Sequence, residues 1–152
     1  MTWEKVAYII AVSASPVVEL RGAIPLAVSM GISPLSAFLI SVMGNLLPVP
    51  LLLVVFSPIT AQLRETKLLK KIFSWLEERT RRKASLVQKY EFWGLVLFVA
   101  IPFPTTGAWT GSFAASIFKL NYKLSLLAIT LGVIIAGIIV SVITVAGRGI
   151  LR

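Results

Sequence analysis

The sequence predicts an all-α integral membrane protein. It would be built from two inverted repeats, each a re-entrant helical hairpin followed by one transmembrane helix, with an amphipathic surface helix between them. Three observations carry this expectation. Of 152 residues, 57% are hydrophobic and only 14% charged, and mean hydropathy is +0.92, too little polar surface for a soluble domain of this length. The charges are segregated, with nine of the 15 Lys and Arg and four of the six acidic residues in 62–91. Finally, the long runs 22–63, 92–118 and 124–147 carry no charge at all.

In chain order, residues 6–18 are apolar but too short for a span, which needs roughly 20 residues in a helix, and Pro16 stops any helix at about Ser15. Residues 22–31 read as a short returning arm. A new helix starts at Ser33-Pro34, with Ser33 as N-cap and Pro34 in the first turn. It runs to about 56–58, kinked by Pro48 and Pro50. In 61–91, Leu69, Ile72, Phe73 and Leu76 recur at helical spacing among Lys and Arg, the pattern of a helix lying on a membrane surface. Residues 92–118 place Pro102, Pro104, Gly107 and Gly111 at their centre, which predicts a helix in, a tip, and a helix out. Residues 124–147 are long enough to span.

The halves echo each other. RGAIP (21–25) aligns with TGAWT (106–110), and 31–55 with 119–143, which sets Gly44 over Gly132. The expected organisation is one membrane domain over 1–152: repeat one in 1–60, a basic linker helix in 61–91, repeat two in 92–152. Basic loops favour the cytoplasmic side, so 62–91 is expected there, in a multi-pass protein of the inner (cytoplasmic) membrane. The span 34–57 then runs inward and the last span outward, an inverted arrangement common among transporters. Arg148 and Arg152 fall outside on this topology, against the same tendency.

Composition excludes several chemistries. There is no Cys and no His, so disulfides, thiol catalysis and the common zinc sites are absent. The membrane part has Glu19 as its only acid, apart from Glu4 at the end, and no Gly-rich phosphate loop occurs. No enzyme, metal or cofactor is expected. The net charge is +9, and its largest cluster, in 62–91, lies between apolar segments, which fits anionic lipid rather than nucleic acid.

The candidate site residues are Glu19, Arg21, Asn45, Thr105, Thr106, Gly107, Trp109 and Thr110. Charged side chains at bilayer depth are costly and face an interior or a wet cavity. With Pro16 and Pro25 nearby, extended or turning backbone is expected at Glu19 and Arg21; extended backbone would turn both to one side. Arg21 offers a donor fork for phosphate or carboxylate; Glu19 can pair with it or carry a proton. A salt bridge holding the tip is the competing role. In IPFPTTGAWTGS the hydroxyls of Thr105, Thr106 and Thr110, backbone approach at Gly107 and the Trp109 ring would complete a ligand site, or simply pack a hairpin. Asn45, buried in an apolar span, needs polar partners and would meet the tip or another helix.

On ELRGAIP (19–25), GISP (31–34), the Gly44-Asn45 pair and IPFPTTGAWTGS (101–112), the chain resembles the small multi-drug export proteins over nearly its whole length. That family's name implies drug efflux. More distantly it resembles the DedA or VTT-domain membrane proteins. Those have two inverted re-entrant hairpins, each followed by a span, and are associated with moving lipids or lipid carriers such as undecaprenyl phosphate, often with proton coupling. The resemblance implies that Glu19 is the hairpin acid. DedA proteins keep essential arginines in the second hairpin, where PFPTTGAWTG has none. Either Arg21 does that work from the first hairpin, or the substrate differs. Small multidrug resistance exporters are four plain spans with a Glu inside the first, a pattern Glu19 shares only in residue type.

The expected function is therefore a small transporter of an amphipathic anionic substrate, a lipid or lipid-carrier phosphate among the candidates, with Glu19 coupling protons. The alternatives are a proton-coupled small multidrug exporter and a non-transporting membrane scaffold. Expected partners are membrane lipids, the substrate, protons and, since so few spans enclose little volume, a second copy in a homodimer.

Overall fold

The structure, a computed structural model, describes residues 2–64, 70, 84–103 and 106–150. Residues 65–69 and 71–83, the core of the expected surface helix and most of the basic stretch, lie outside the described residues. The described residues form seven helices: α1 Trp3–Ala14, α2 Glu19–Ser29, α3 Pro34–Leu46, α4 Val49–Arg64, α5 Ala84–Ala100, α6 Ala108–Ile117 and α7 Tyr122–Ile150.

Local chemistry sets most of their ends. α1 stops where Ser15, preceding Pro16, turns extended (ψ 145°), because proline's ring crowds a helical predecessor. Ser33 caps α3, its hydroxyl accepting the Ser36 N–H at 3.3 Å, with Pro34 at the first position. Pro48 and Pro50 then deny donors to the Gly44 and Leu46 carbonyls, which separates α3 from α4. Across the break the ladder persists through Leu47 N–H to Met43 O (3.1 Å) and Leu52 N–H to Pro48 O (2.9 Å). Pro58, expected near the end of this helix, sits inside α4.

Of the extended or turning backbone expected at Glu19 and Arg21, the extended alternative fails here. They open α2, and Pro25 lies inside that helix. Extended chain in an apolar interior would leave several backbone groups unpaired, each costly. A helix interrupted by Pro25 loses only one bond, the one to the Arg21 carbonyl. Glu19 itself is left-handed, with φ +50°, a conformation that costs a non-glycine residue about 1–3 kcal/mol.

Two turns match residue for residue, 88 positions apart. After α2, the N–H groups of Met30, Gly31 and Ile32 bond the carbonyls of Leu26, Val28 and Ala27; after α6, those of Phe118, Lys119 and Leu120 bond Ala114, Ser116 and Ala115. Both are helix ends closed by a left-handed residue: Gly31 at φ +83° and Lys119 at φ +51°. Glycine is the ordinary choice for that conformation, and lysine holds it at a cost of about 1–3 kcal/mol. The glycines aligned in the sequence also match. A Cβ on Gly44 would lie 2.9 Å from the Ile10 carbonyl of α1, and one on Gly132 would lie 2.9 Å from the Val96 carbonyl of α5. Each half thus presses its long helix against its first helix through one glycine.

α1, α2 and α3 pack together, α5 packs on α7, α4 on α6, and α2 and α3 both reach α7. One core joins the halves, with Leu20, Ile24, Val42 and Val49 meeting Val96, Val99, Ile129 and Val133. A second core, of Ile9, Ala23, Ala27, Val28, Ile32 and Ala37, belongs to the first half.

The stretches Pro34–Gln62 and Tyr122–Arg148 are long and apolar enough to cross a membrane, with hydropathies of 2.3 and 2.9. Large side chains on them stand outward, including Leu47, Leu51, Leu127 and Val142, each more than 60% exposed. Such contiguous apolar surface is a liability in water and is covered by lipid in a bilayer.

Candidate functional site

The turn between α1 and α2 meets the break between α5 and α6. The α1 end is held by Ser15, whose hydroxyl donates to the Val12 carbonyl (2.8 Å) and accepts the Val18 N–H (3.3 Å). Glu19 follows, only 5% exposed. Its Oε2 accepts from Arg21 Nη1 at 2.7 Å. Its Oε1 accepts the backbone N–H of Trp109 at 3.3 Å.

That second bond explains the glycine at 107. Gly107 is the N-cap residue of α6, a place where Ser, Thr, Asp or Asn usually supplies an oxygen to the free amides. Glycine has none to give, and Glu19 supplies it from another helix. The fit leaves no room for a side chain, because a Cβ on Gly107 would fall directly on the Glu19 carboxylate. The position favours the charge as well, since a helix N-terminus carries partial positive charge.

Arg21 does the converse at the other end of the break. Its Nη2 donates to the Ile101 carbonyl at 3.0 Å, and lies 3.4 Å from both the Val99 carbonyl and the Thr106 hydroxyl. These carbonyls end α5, where partial negative charge favours a cation. Carboxylate on the N-terminus of α6, guanidinium on the C-terminus of α5: the pair from one half neutralises both ends of the interrupted helices of the other. Trp109 adds a third tie, its indole N–H donating to the Ala14 carbonyl at 3.1 Å.

Desolvating two charges is expensive unless their remaining hydrogen-bonding capacity is used. Glu19 is well used. Arg21 is not, for its Nε–H is buried without a partner. The pair borders a cavity of about 370 Å³, walled by Pro16, Val17, Val18, Gly22, Pro102, Thr106 and Thr110.

Of the expected site residues, Glu19, Arg21, Thr106 and Thr110 line this cavity, while the Trp109 amide holds the carboxylate and Gly107 leaves room for it. The threonine hydroxyls are engaged in the tip: Thr106 donates to the Ile101 carbonyl at 2.7 Å, and Thr110 accepts the Gly107 N–H at 2.9 Å. Thr105 lies outside the described residues. Asn45 is not in the lining; it is 1% exposed within α3, one turn after Ser41, whose carbonyl accepts from the Ser13 hydroxyl. Sequence reasoning missed the Val99 and Ile101 carbonyls. Their signal is Pro102, which ends α5 and leaves acceptors free. Among the described residues no group of three His, Cys, Asp or Glu could hold a metal ion.

Compared with known protein families, residues 19–139 match the one described as "Putative small multi-drug export protein". No curated protein and no solved structure matches the chain.

Proposed function

The chain belongs to the small multi-drug export protein family, and on that footing we propose that it is a transporter of amphipathic anions whose site is the Glu19–Arg21 junction. The observation that carries the choice of anion is the difference between the two charges. Glu19 is occupied by Arg21 and by the α6 amide, whereas Arg21 keeps a buried, unpartnered Nε–H at a cavity wall. A guanidinium edge with a spare donor suits a phosphate, sulfate or carboxylate head. A cationic drug would need a free carboxylate instead.

In this reading two inverted repeats, each a re-entrant hairpin and a span, hold the site between them. The matched turns and the paired glycines 44 and 132 support the repetition. Interrupted helices whose ends face a ligand are a recurring way to build such sites. Glu19 couples protons. Protonation removes the charge that balances Arg21, and an anionic head restores the balance, so proton and anion bind cooperatively.

The test is equilibrium binding and flux in proteoliposomes with a fluorescent anionic amphiphile and a cationic one of equal chain length. The native chain is expected to carry the anion in preference, with affinity rising as pH falls. Glu19→Gln, which mimics the protonated acid, should bind without pH dependence. Arg21→Lys keeps the charge but loses the fork, and flux should fall at least about tenfold, a loss of roughly 1.4 kcal/mol of transition-state stabilisation. Preference for the cation would place the substrate on Glu19 and overturn the assignment. Flux of neither would leave a scaffold.

A further inference from the structure

The charge available at the junction can be counted. Glu19 and Arg21 are the only charged residues between Lys5 and Arg64, and 92–118 and 124–147 carry none. The two tips together therefore bring one acid and one cation, and among the described residues lining the cavity only that pair is charged. Neighbouring cations are set apart. Lys5 donates to the Met30 carbonyl at 3.1 Å, at the far end of α2 from Glu19. Lys119 lies beyond α6, whose ten residues span roughly 15 Å.

Each state of the site then has a definite charge. With Glu19 ionised, the empty pair is neutral. With Glu19 protonated, Arg21 leaves one positive charge, which a head with one negative charge cancels. A head with two negative charges leaves a net charge between side chains that are only 6% and 17% exposed, where uncompensated charge is costly. We infer that the junction takes monovalent anionic heads and that one proton enters with each, so that the empty and the loaded site are both uncharged and transport moves no net charge. The inference rests on the anion-transport reading above and adds to it the charge class of the substrate and the driving force: a pH gradient drives the flux and a membrane potential does not. The rim agrees with a single charge on an apolar tail. Val17 and Val18 wall the cavity and are exposed, as are Ile101 and Phe103 on either side of Pro102. None of them offers a partner to a second anionic group. A phosphodiester, a sulfonate or a carboxylate meets the count, and a doubly ionised phosphomonoester does not.

The test compares two fluorescent probes of one chain length in proteoliposomes holding the full chain, an alkyl methyl phosphodiester and the alkyl phosphomonoester. The monoester gains its second charge near about pH 6, so the probes differ in charge at about pH 8 and match at about pH 5. The native chain is expected to carry the diester at least about tenfold faster at the higher pH, and the ratio should close to within about threefold at the lower. Diester flux should follow an imposed pH gradient. It should stay within about twofold under a potassium-diffusion potential of either sign, whereas a step that moves one net charge changes by more than about tenfold. Val17→Lys puts a second cation on the exposed wall, so it should admit the dianion and cut the preference about tenfold. Equal flux of the two probes at the higher pH, or diester flux that follows the potential, overturns this inference and leaves the anion reading standing. Preference for a cationic probe of the same chain length, or no flux of any anion, overturns both.

Discussion

Gly107→Ala should destabilise the protein by about 2–4 kcal/mol, far more than a glycine-to-alanine change in a loop. The ordinary expectation runs the other way, since alanine restricts the unfolded chain and so stabilises where its backbone fits. Gly107 is extended, so no left-handed backbone forbids alanine. What forbids it is the carboxylate of Glu19, which occupies the space a Cβ would take. Either the tip moves away and the α6 amide and Arg21 lose their partner, or the methyl group is forced against a charge. Overpacking costs about 1–3 kcal/mol, and a displaced carboxylate adds the cost of a disrupted buried pair. Thermal unfolding in detergent measures the effect. The same change in a Glu19→Ala background should cost much less, because the obstructing group is gone.

Arg21→Ala is the second large effect. It leaves Glu19 buried and uncompensated and takes the cation from the carbonyls that end α5. Breaking a buried pair by removing one partner costs about 3–5 kcal/mol, whereas replacing both partners with neutral groups of similar shape is often close to neutral. Glu19→Gln still offers an oxygen to the Trp109 amide, so it should cost less than the arginine change. The double variant Glu19→Gln/Arg21→Met should then be more stable than Arg21→Met alone. The difference between the double variant and the sum of the singles reads the strength of the pair directly.

The parts of this fold that are local were legible in the sequence. Pro16 ends α1 and Ser33-Pro34 begins α3 because their chemistry acts within a few residues. The two long apolar stretches needed only counting. The importance of Glu19 and Arg21 followed from the cost of charge in an oily run. Their backbone did not: Pro16 and Pro25 pointed to an extended or turning chain, and the need to pair backbone groups in an apolar interior kept a helix instead. The bond to the Trp109 amide spans 90 positions and could not be read from spacing, although a glycine at a helix start, where an oxygen is usually supplied, was a sign that something else caps α6. Asn45, expected to meet the tip or another helix, is a related case. A buried amide announces a polar need without saying where it is met, and it lies in α3, outside the cavity wall. The alignment of Gly44 with Gly132 had a physical basis: each is the place where a long helix touches its first helix closely enough that no side chain fits.

The pair has two duties in this account. It locks the first half onto the interrupted helices of the second, and it receives the substrate. A variant that keeps the lock and loses the charges separates them. The direct measurement is anionic-amphiphile flux through proteoliposomes holding folded Glu19→Gln/Arg21→Met, with folding verified by unfolding in the same preparation. The account predicts a folded protein with flux reduced to the protein-free level. Native flux from that folded variant would contradict it, and would make Glu19 and Arg21 a structural clasp only.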